Sequence, residues 1–210
     1  GKIGSGITSA FKIGATAIAG VSAAFTGLVV ASVNARGELE QQIGGIETLF
    51  TNELGSASET VIKNANNAYK TAGMSAIEYM STATSFSASL LQSLGNDTKK
   101  AAEVTDMAII DMSDNANKMG TSMELIQNAY QGFAKQNYTM LDNLKLGYGG
   151  TKEEMERLLA DAQKLTGVKY DISNLSDVYN AIHVIQGELG ITGTTAKEAS
   201  ETLQGSFSSM

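Results

Sequence analysis

Five short motifs fix most of what this chain can fold into. Serine or threonine is followed three residues later by glutamate at Ser56–Glu59, Ser75–Glu78, Thr121–Glu124, Thr151–Glu154 and Thr195–Glu198. In such a capping box the hydroxyl oxygen accepts from a free N–H of the first helical turn, and the carboxylate reaches back to the N–H of the cap residue. Gly55, Gly73, Gly120 and Gly150 stand just before four of these motifs, where a preceding helix would end. Asn96 or Asp97, after Gly95, is a further start. The punctuation predicts helices near residues 37–50, 57–72, 76–94, 98–119, 122–135, 138–146, 152–166, 175–189 and 196–208, with helix N-caps at Ser56, Ser75, Thr121, Thr151 and Thr195.

Two further features agree. Proline is absent from all 210 residues, which permits long helices. Apolar residues recur at helical spacing: Met155, Leu158, Leu159, Ala162 and Leu165 form one face, and Leu175, Val178, Ile182, Ile185 and Leu189 another. Val168–Ile172 is the single short run that reads as extended, and no regular repeat points to a solenoid. The expected fold class is all-α, a series of capped helices separated by glycine turns. The nine methionines, among them Met74, Met80, Met107, Met112, Met119 and Met123, read as gap-filling core.

The chain falls into two regions. Residues 1–35 form an apolar segment rich in alanine and glycine, and residues 36–210 are amphipathic and charged. Ile13–Ala35 carries no charge over 23 residues, between Lys12 and Arg36. As a helix it would be long enough for a hydrocarbon core of about 30 Å. Its strong apolar residues are Ile13, Ile18, Val21, Phe25, Leu28, Val29, Val30 and Val33, diluted by small residues, so insertion should be marginal. Gly20 and Ala24 stand four apart, a spacing that lets helices approach closely. Phe11, Ile18 and Phe25 recur every seven residues, as in a coiled-coil seam. Self-association with its own copies and membrane entry are both expected of this segment. The sequence begins Gly-Lys-Ile without an initiator methionine, which reads as a piece of something longer.

Composition and motif spacing argue against several functions. With no cysteine there is no disulfide or thiolate chemistry, and one histidine cannot make a site that needs two imidazoles. A net charge of −7 argues against nucleic-acid binding, which needs a basic surface. Asp111, Ser113 and Asn115 alternate like calcium-loop ligands, but Ala116 and Ser122 stand where glycine and glutamate are required, so a polar helix face is expected. Gly147–Lys152 is a glycine-rich turn that lacks the Gly-Lys-Thr/Ser of a phosphate loop, and the cap at Thr151 accounts for it. Glu153, Glu154 and Glu156 sit in a first helical turn, where carboxylates favour the dipole. His183 lies beside an apolar face and reads as a partly buried, hydrogen-bonded residue. No catalytic, cofactor or metal site is expected, and the chain is not read as an enzyme.

The stretch Glu78–Leu94, EYMSTATSFSASLLQSL, and the run from Asp106, DMAIIDMSDNANKMGTSMELIQNAYQGFAKQNYTMLDNLKLGYGGTKEEMERLLADA, closely resemble the core region of tail tape measure proteins of tailed bacteriophages and prophages. The run AIHVIQGELGITGTTAKEASETLQGSFSSM is similar to the continuation of that region, so the resemblance covers roughly Asn34–Met210. It implies a long helical structural protein that sets tail length while the tube polymerises around it. The partners it implies are the tail tube protein, tail assembly chaperones and copies of the chain itself. It also implies a place in the virion's tail tube lumen, in the host cytoplasm during assembly and, for some members, at the host membrane during DNA ejection. The family core brings no catalytic residues. The alternative is a membrane-active or pore-forming helical protein, motivated by Ile13–Ala35.

Overall fold

The computed structural model describes the backbone of residues 33–208 and the side chains of residues 36–202. Of the residues expected to serve membrane entry or self-association, Ile13, Ile18, Gly20, Val21, Ala24, Phe25, Leu28 and Val29 lie outside the described residues, and Val33 is described by its backbone alone. Among the described residues, no helix is long and apolar enough to cross a membrane. The chain divides into two units, Gly1–Glu40 and Gln41–Met210, and the helical core described below belongs to the second.

Helices dominate, as the caps and periodicity predict. They are α1 (Val33–Leu49), α2 (Ser58–Thr71), α3 (Ala76–Ser93), α4 (Thr98–Met119), α5 (Met123–Phe133), α6 (Lys152–Thr166), α7 (Leu175–Glu188) and α8 (Thr194–Ser208). A minimal antiparallel hairpin of β1 (Thr51–Asn52) and β2 (Gly55–Ser56) separates α1 from α2, with Thr51 opposite Ser56. The helix expected over 138–146 is reduced to one tight turn, Leu141–Leu144, ended by Lys145 in the left-handed region at φ 54°. Val168–Ile172 forms no strand.

The caps are where local sequence and tertiary structure part company. Ser75 accepts from the Glu78 N–H at 3.2 Å and Thr151 from the Glu154 N–H at 3.2 Å. Asp97 caps α4 through the Lys100 N–H at 3.0 Å. Ser56 is not a cap. Ala57 holds that position without a side-chain bond, and the Ser56 hydroxyl is engaged with Thr51 Oγ1 across the hairpin and with Ser58 Oγ at the start of α2. Thr121 is displaced by Ser122, which accepts from the Leu125 N–H, while the Thr121 hydroxyl donates to the Asn143 carbonyl. Thr195 lies inside α8, and a carboxylate from α4 takes its N–H instead. Two stops follow the expected chemistry: Gly120 and Gly167 end α4 and α6 at φ 65° and 73°, where a side chain would be strained.

α4 is the central element of this unit, packed by α2, α3, α5, α7 and α8. Its buried Ala101, Ala102 and Ala108 let neighbouring backbones come close, and Ile109 and Met112 fill the space between them. Where α3, α5 and α7 meet, the core is aromatic. Phe86 stands edge-on to Tyr179 at 5.4 Å between ring centroids, Tyr179 lies 5.0 Å from Tyr130, and Tyr130 lies 5.7 Å from Phe133. Each such pair adds about 0.5–1.5 kcal/mol beyond its burial. The Tyr179 hydroxyl donates to the Tyr130 carbonyl at 2.9 Å, so its polar end is satisfied inside the core. Met74, Met80, Met112 and Met155 are buried, whereas Met140 is exposed.

Both apolar faces read from the sequence are buried along most of their length. Met155, Leu158, Leu159 and Ala162 are interior, as are Leu175, Val178, Ile182 and Ile185. Each face then runs out to solvent at its last member, with Leu165 50% and Leu189 51% exposed. These two leucines flank a surface groove of about 300 Å³, also lined by Leu146, Tyr148 and Ile185.

Candidate functional site

The most unusual chemistry lies on α4. Asp111, Ser113, Asp114 and Asn115 are all buried, so the polar helix face expected at Asp111, Ser113 and Asn115 lies in the interior as a polar seam. Burying unpaired polar groups is costly, and this seam is held largely by partners supplied from α7 and α8. His183 and Gln186 stand three apart on α7 and therefore face α4 together. His183 Nδ1 lies 2.9 and 3.0 Å from the two Asp111 carboxylate oxygens. The Gln186 amide donates to the Asp111 carbonyl at 3.3 Å, and its oxygen accepts from the Asn115 amide at 2.8 Å. The Asn115 amide also donates to the Leu144 carbonyl at 3.0 Å, tying the tight turn to the seam.

The electrostatics follow from this geometry. The Asp111 side chain is 1% exposed and that of His183 is 40% exposed. Burial pushes the Asp111 carboxyl above the ordinary carboxylate range, against the lowering effect of the histidine. The hydrogen bond to Asp111 holds the His183 imidazole above its usual value, with the nearby Asp111 and Asp114 charges acting in the same direction. Burial likewise raises the Tyr130 phenol, and the Asp111 charge adds to the effect.

Asp114 lies one turn further along α4 and is fully buried. Its carboxylate accepts from the Gly193 N–H at 2.6 Å and the Thr195 N–H at 2.8 Å. It thus caps α8 from another helix, placing negative charge at the positive end of the dipole. Thr105 Oγ1, Ser113 Oγ, Asn115 Oδ1, Tyr130 OH and Thr195 Oγ1 are buried without a hydrogen-bond partner.

Two satellite clusters complete the polar inventory. The Tyr79 phenol donates to Asp106 at 2.6 Å, joining α3 to α4, and burial raises both groups. In the glycine-rich turn, Arg157 stacks over the Tyr148 ring at 4.3 Å and donates to Glu154 and to the Gly147 carbonyl. The Arg157 hydrogen bond, aided by the Gly149 N–H, pulls the Glu154 carboxyl down to about 2. Glu154 thus braces the turn with Gly149 and Arg157. Tyr148 is pushed up to about 12 by burial and by its bond to Asp161. Gly150 is needed for space: an added Cβ would lie 2.3 Å from the Thr139 carbonyl oxygen. The turn therefore rests on a close backbone approach as well as on the Thr151 cap.

The Asp111–His183 pair resembles two members of a hydrolytic triad. Among the described residues, however, no hydroxyl is hydrogen-bonded to the other ring nitrogen. No group of three or more histidine, cysteine, aspartate or glutamate side chains among the described residues is placed to hold a metal ion. The seam's evident chemistry is cohesion: it registers α7 and α8 against α4. In the sequence His183 stands alone and Asp111 belongs to an alternating polar run, and no local feature pairs the two. The roles of Asp114 and Gln186 gave no local signal, because their partners lie 71 to 81 residues away. The fold and its polar seam define the class: an all-α unit with a central helix, built for helix–helix cohesion. No family model, curated protein or solved structure matches this chain.

Proposed function

We propose that this chain is a structural segment of a phage or prophage tail tape measure protein. Its parent sets tail length while the tube polymerises around it and leaves the tail when DNA is ejected. Its partners are the tail tube protein, the tail assembly chaperones and copies of itself, the last through Ile13–Ala35. The observation that carries this reading is the resemblance over Asn34–Met210, strongest in the run from Asp106 to Ala162. That run spans most of α4, all of α5 and much of α6, so the resemblance falls on the centre of the fold.

The all-α architecture suits a helical ruler, with one qualification about how length is measured. As one continuous helix at about 1.5 Å per residue, the roughly 170 residues of Gln41–Met210 would run about 255 Å. A folded unit of the same length is about 40 Å across. On this reading the segment is a folded bead on the ruler and adds far less length than its residue count suggests.

The test is proteomic. Tails purified from the phage or prophage that encodes the chain should contain its peptides, and particles that have ejected their DNA should have lost them. Intact tails that contain none of these peptides would overturn the reading.

A further inference from the structure

We infer that the start of α8, Thr194–Thr202, is a detachable strap, held against α2 and α4 through the Asp114 carboxylate, and that it opens while the core of Gln41–Met210 stays folded. The strap is independent of the ruler reading, because it rests only on how α8 is attached.

Three observations carry the inference. First, none of the α8 residues from Thr194 to Thr202 is buried, and only Thr194, Thr195 and Ala199 are even half-buried. Every other helix from α2 to α7 buries at least four residues. The described part of α8 thus lacks the apolar anchoring that fixes the others. Second, among the described residues its hydrogen bonds to other helices are few and centre on Asp114. The Asp114 carboxylate accepts from the Gly193 and Thr195 N–H groups, the Thr194 hydroxyl lies 3.5 Å from the Asp114 carbonyl and carboxylate oxygens, and the Asn117 amide donates to Glu198 at 3.0 Å. Third, the docked position leaves the Thr195 hydroxyl oxygen buried without a partner. Release returns that hydroxyl to water, so one term in the docked state favours opening.

The physics of the helix makes the opening cooperative. An isolated helix of fewer than about 12–15 residues is marginal in water. α8, with 15 residues, stands at the upper edge of that range, and once it leaves Asp114 its first N–H groups lose that cap. Detachment should therefore melt it, and redocking should refold it. Asp114 has a second neighbour of consequence: Asp111 lies one turn earlier on α4 and is bound to His183, so the strap's anchor and the α7 anchor share one seam.

Hydrogen exchange read by mass spectrometry on the full chain tests the strap. In the unaltered protein, the amides of Lys197–Thr202 should exchange at least about 100-fold faster than those of Tyr79–Leu91, through an opening smaller than global unfolding. Asp114→Asn offers one oxygen where two N–H groups need acceptors, and its amide faces the other. It should speed α8 exchange a further ~10- to 100-fold while the near-ultraviolet signal of the core tyrosines is kept. Thr195→Val removes the unpaired hydroxyl at constant shape and should slow α8 exchange by roughly threefold or more. If Asp114→Asn unfolds the whole unit, the unaltered protein and Thr195→Val decide the matter. The strap is refuted if α8 exchanges only as slowly as the core, or if the folded variants leave its exchange unchanged.

Discussion

Alanine at Gly150 should destabilise the fold far more than alanine at either glycine nearby in the same turn. A Cβ at Gly150 would sit 2.3 Å from the Thr139 carbonyl oxygen and 3.0 Å from its carbon. A relaxed carbon–oxygen contact is about 3.3 Å or more, so the overlap is about 1 Å. Both sides of the clash are backbone. Thr139 is fixed by two bonds to the Asn137 side chain, and Gly150 by the α6 cap that follows it. Relief therefore requires a backbone shift, and overpacking of this kind costs about 3 kcal/mol. For a domain of this size, that lowers Tm by roughly 6–12 °C. At Gly149 the nearest atom is a flexible Glu154 carbon at 3.5 Å, an ordinary contact, so Gly149→Ala should stay within about 1 kcal/mol. At Gly147 space is open but φ is +87°, and alanine there should cost about 1–2 kcal/mol in backbone strain. Thermal melts followed by far-ultraviolet circular dichroism would rank the three. The reasoning fails if Gly150→Ala melts within about 1 °C of the unaltered protein, or if Gly149→Ala proves the most damaging.

Three other outcomes follow from the same structure. Ser75→Ala, Ser122→Ala and Thr151→Ala should each lose about 1 kcal/mol in denaturant melts, whereas Ser56→Ala loses no cap and should change stability less. Because the His183 value is raised in the folded state, its stabilisation is full below about pH 6.5 and is lost as pH rises through the folded value. The buried Asp111, also raised, adds a penalty as pH climbs out of the acid range, in the same direction. The unaltered protein should therefore lose stability as pH rises above about 6.5 through the folded His183 value, and Asp111→Asn should lose less; parallel profiles would remove the pair from the account. Phe86→Ala should cost about 3–5 kcal/mol, because it opens a cavity against Tyr179 at the aromatic junction, and a loss below about 1 kcal/mol would show that the junction repacks freely.

What could be read from the sequence was whatever depends on near neighbours. Ser75, Asp97 and Thr151 cap helices because the acceptor and the N–H it satisfies lie within one turn, and glycine marks the stop at Gly120 for the same reason. The errors arise where a distant partner intervenes. Thr121 has the cap spacing, but its side chain turns to donate to the Asn143 carbonyl, 22 residues away, and Ser122 is the residue that accepts from the first turn of α5. Ser56 was lost to a hairpin too short to leave a periodic signal. Asp111, Ser113 and Asn115 read as a polar helix face, and nothing local reveals that this face is buried. The seam is a product of tertiary packing, and the spacing of its members in the chain carries no hint of it.

The central claim is that the chain is a folded part of a tail-length ruler, and tail length is the most direct measure of it. In the parent gene, residues 75–162 should be deleted in frame and the resulting particles measured by electron microscopy. The deletion removes α3, α4, α5 and most of α6, and with them the centre of the core. The account predicts failed assembly, with normal tails absent. Intact tails shortened by about 130 Å, the rise of roughly 88 residues of continuous helix, would show that the segment lies extended. Intact tails of unchanged length would contradict the account as well, because they would show that assembly does not depend on this folded segment.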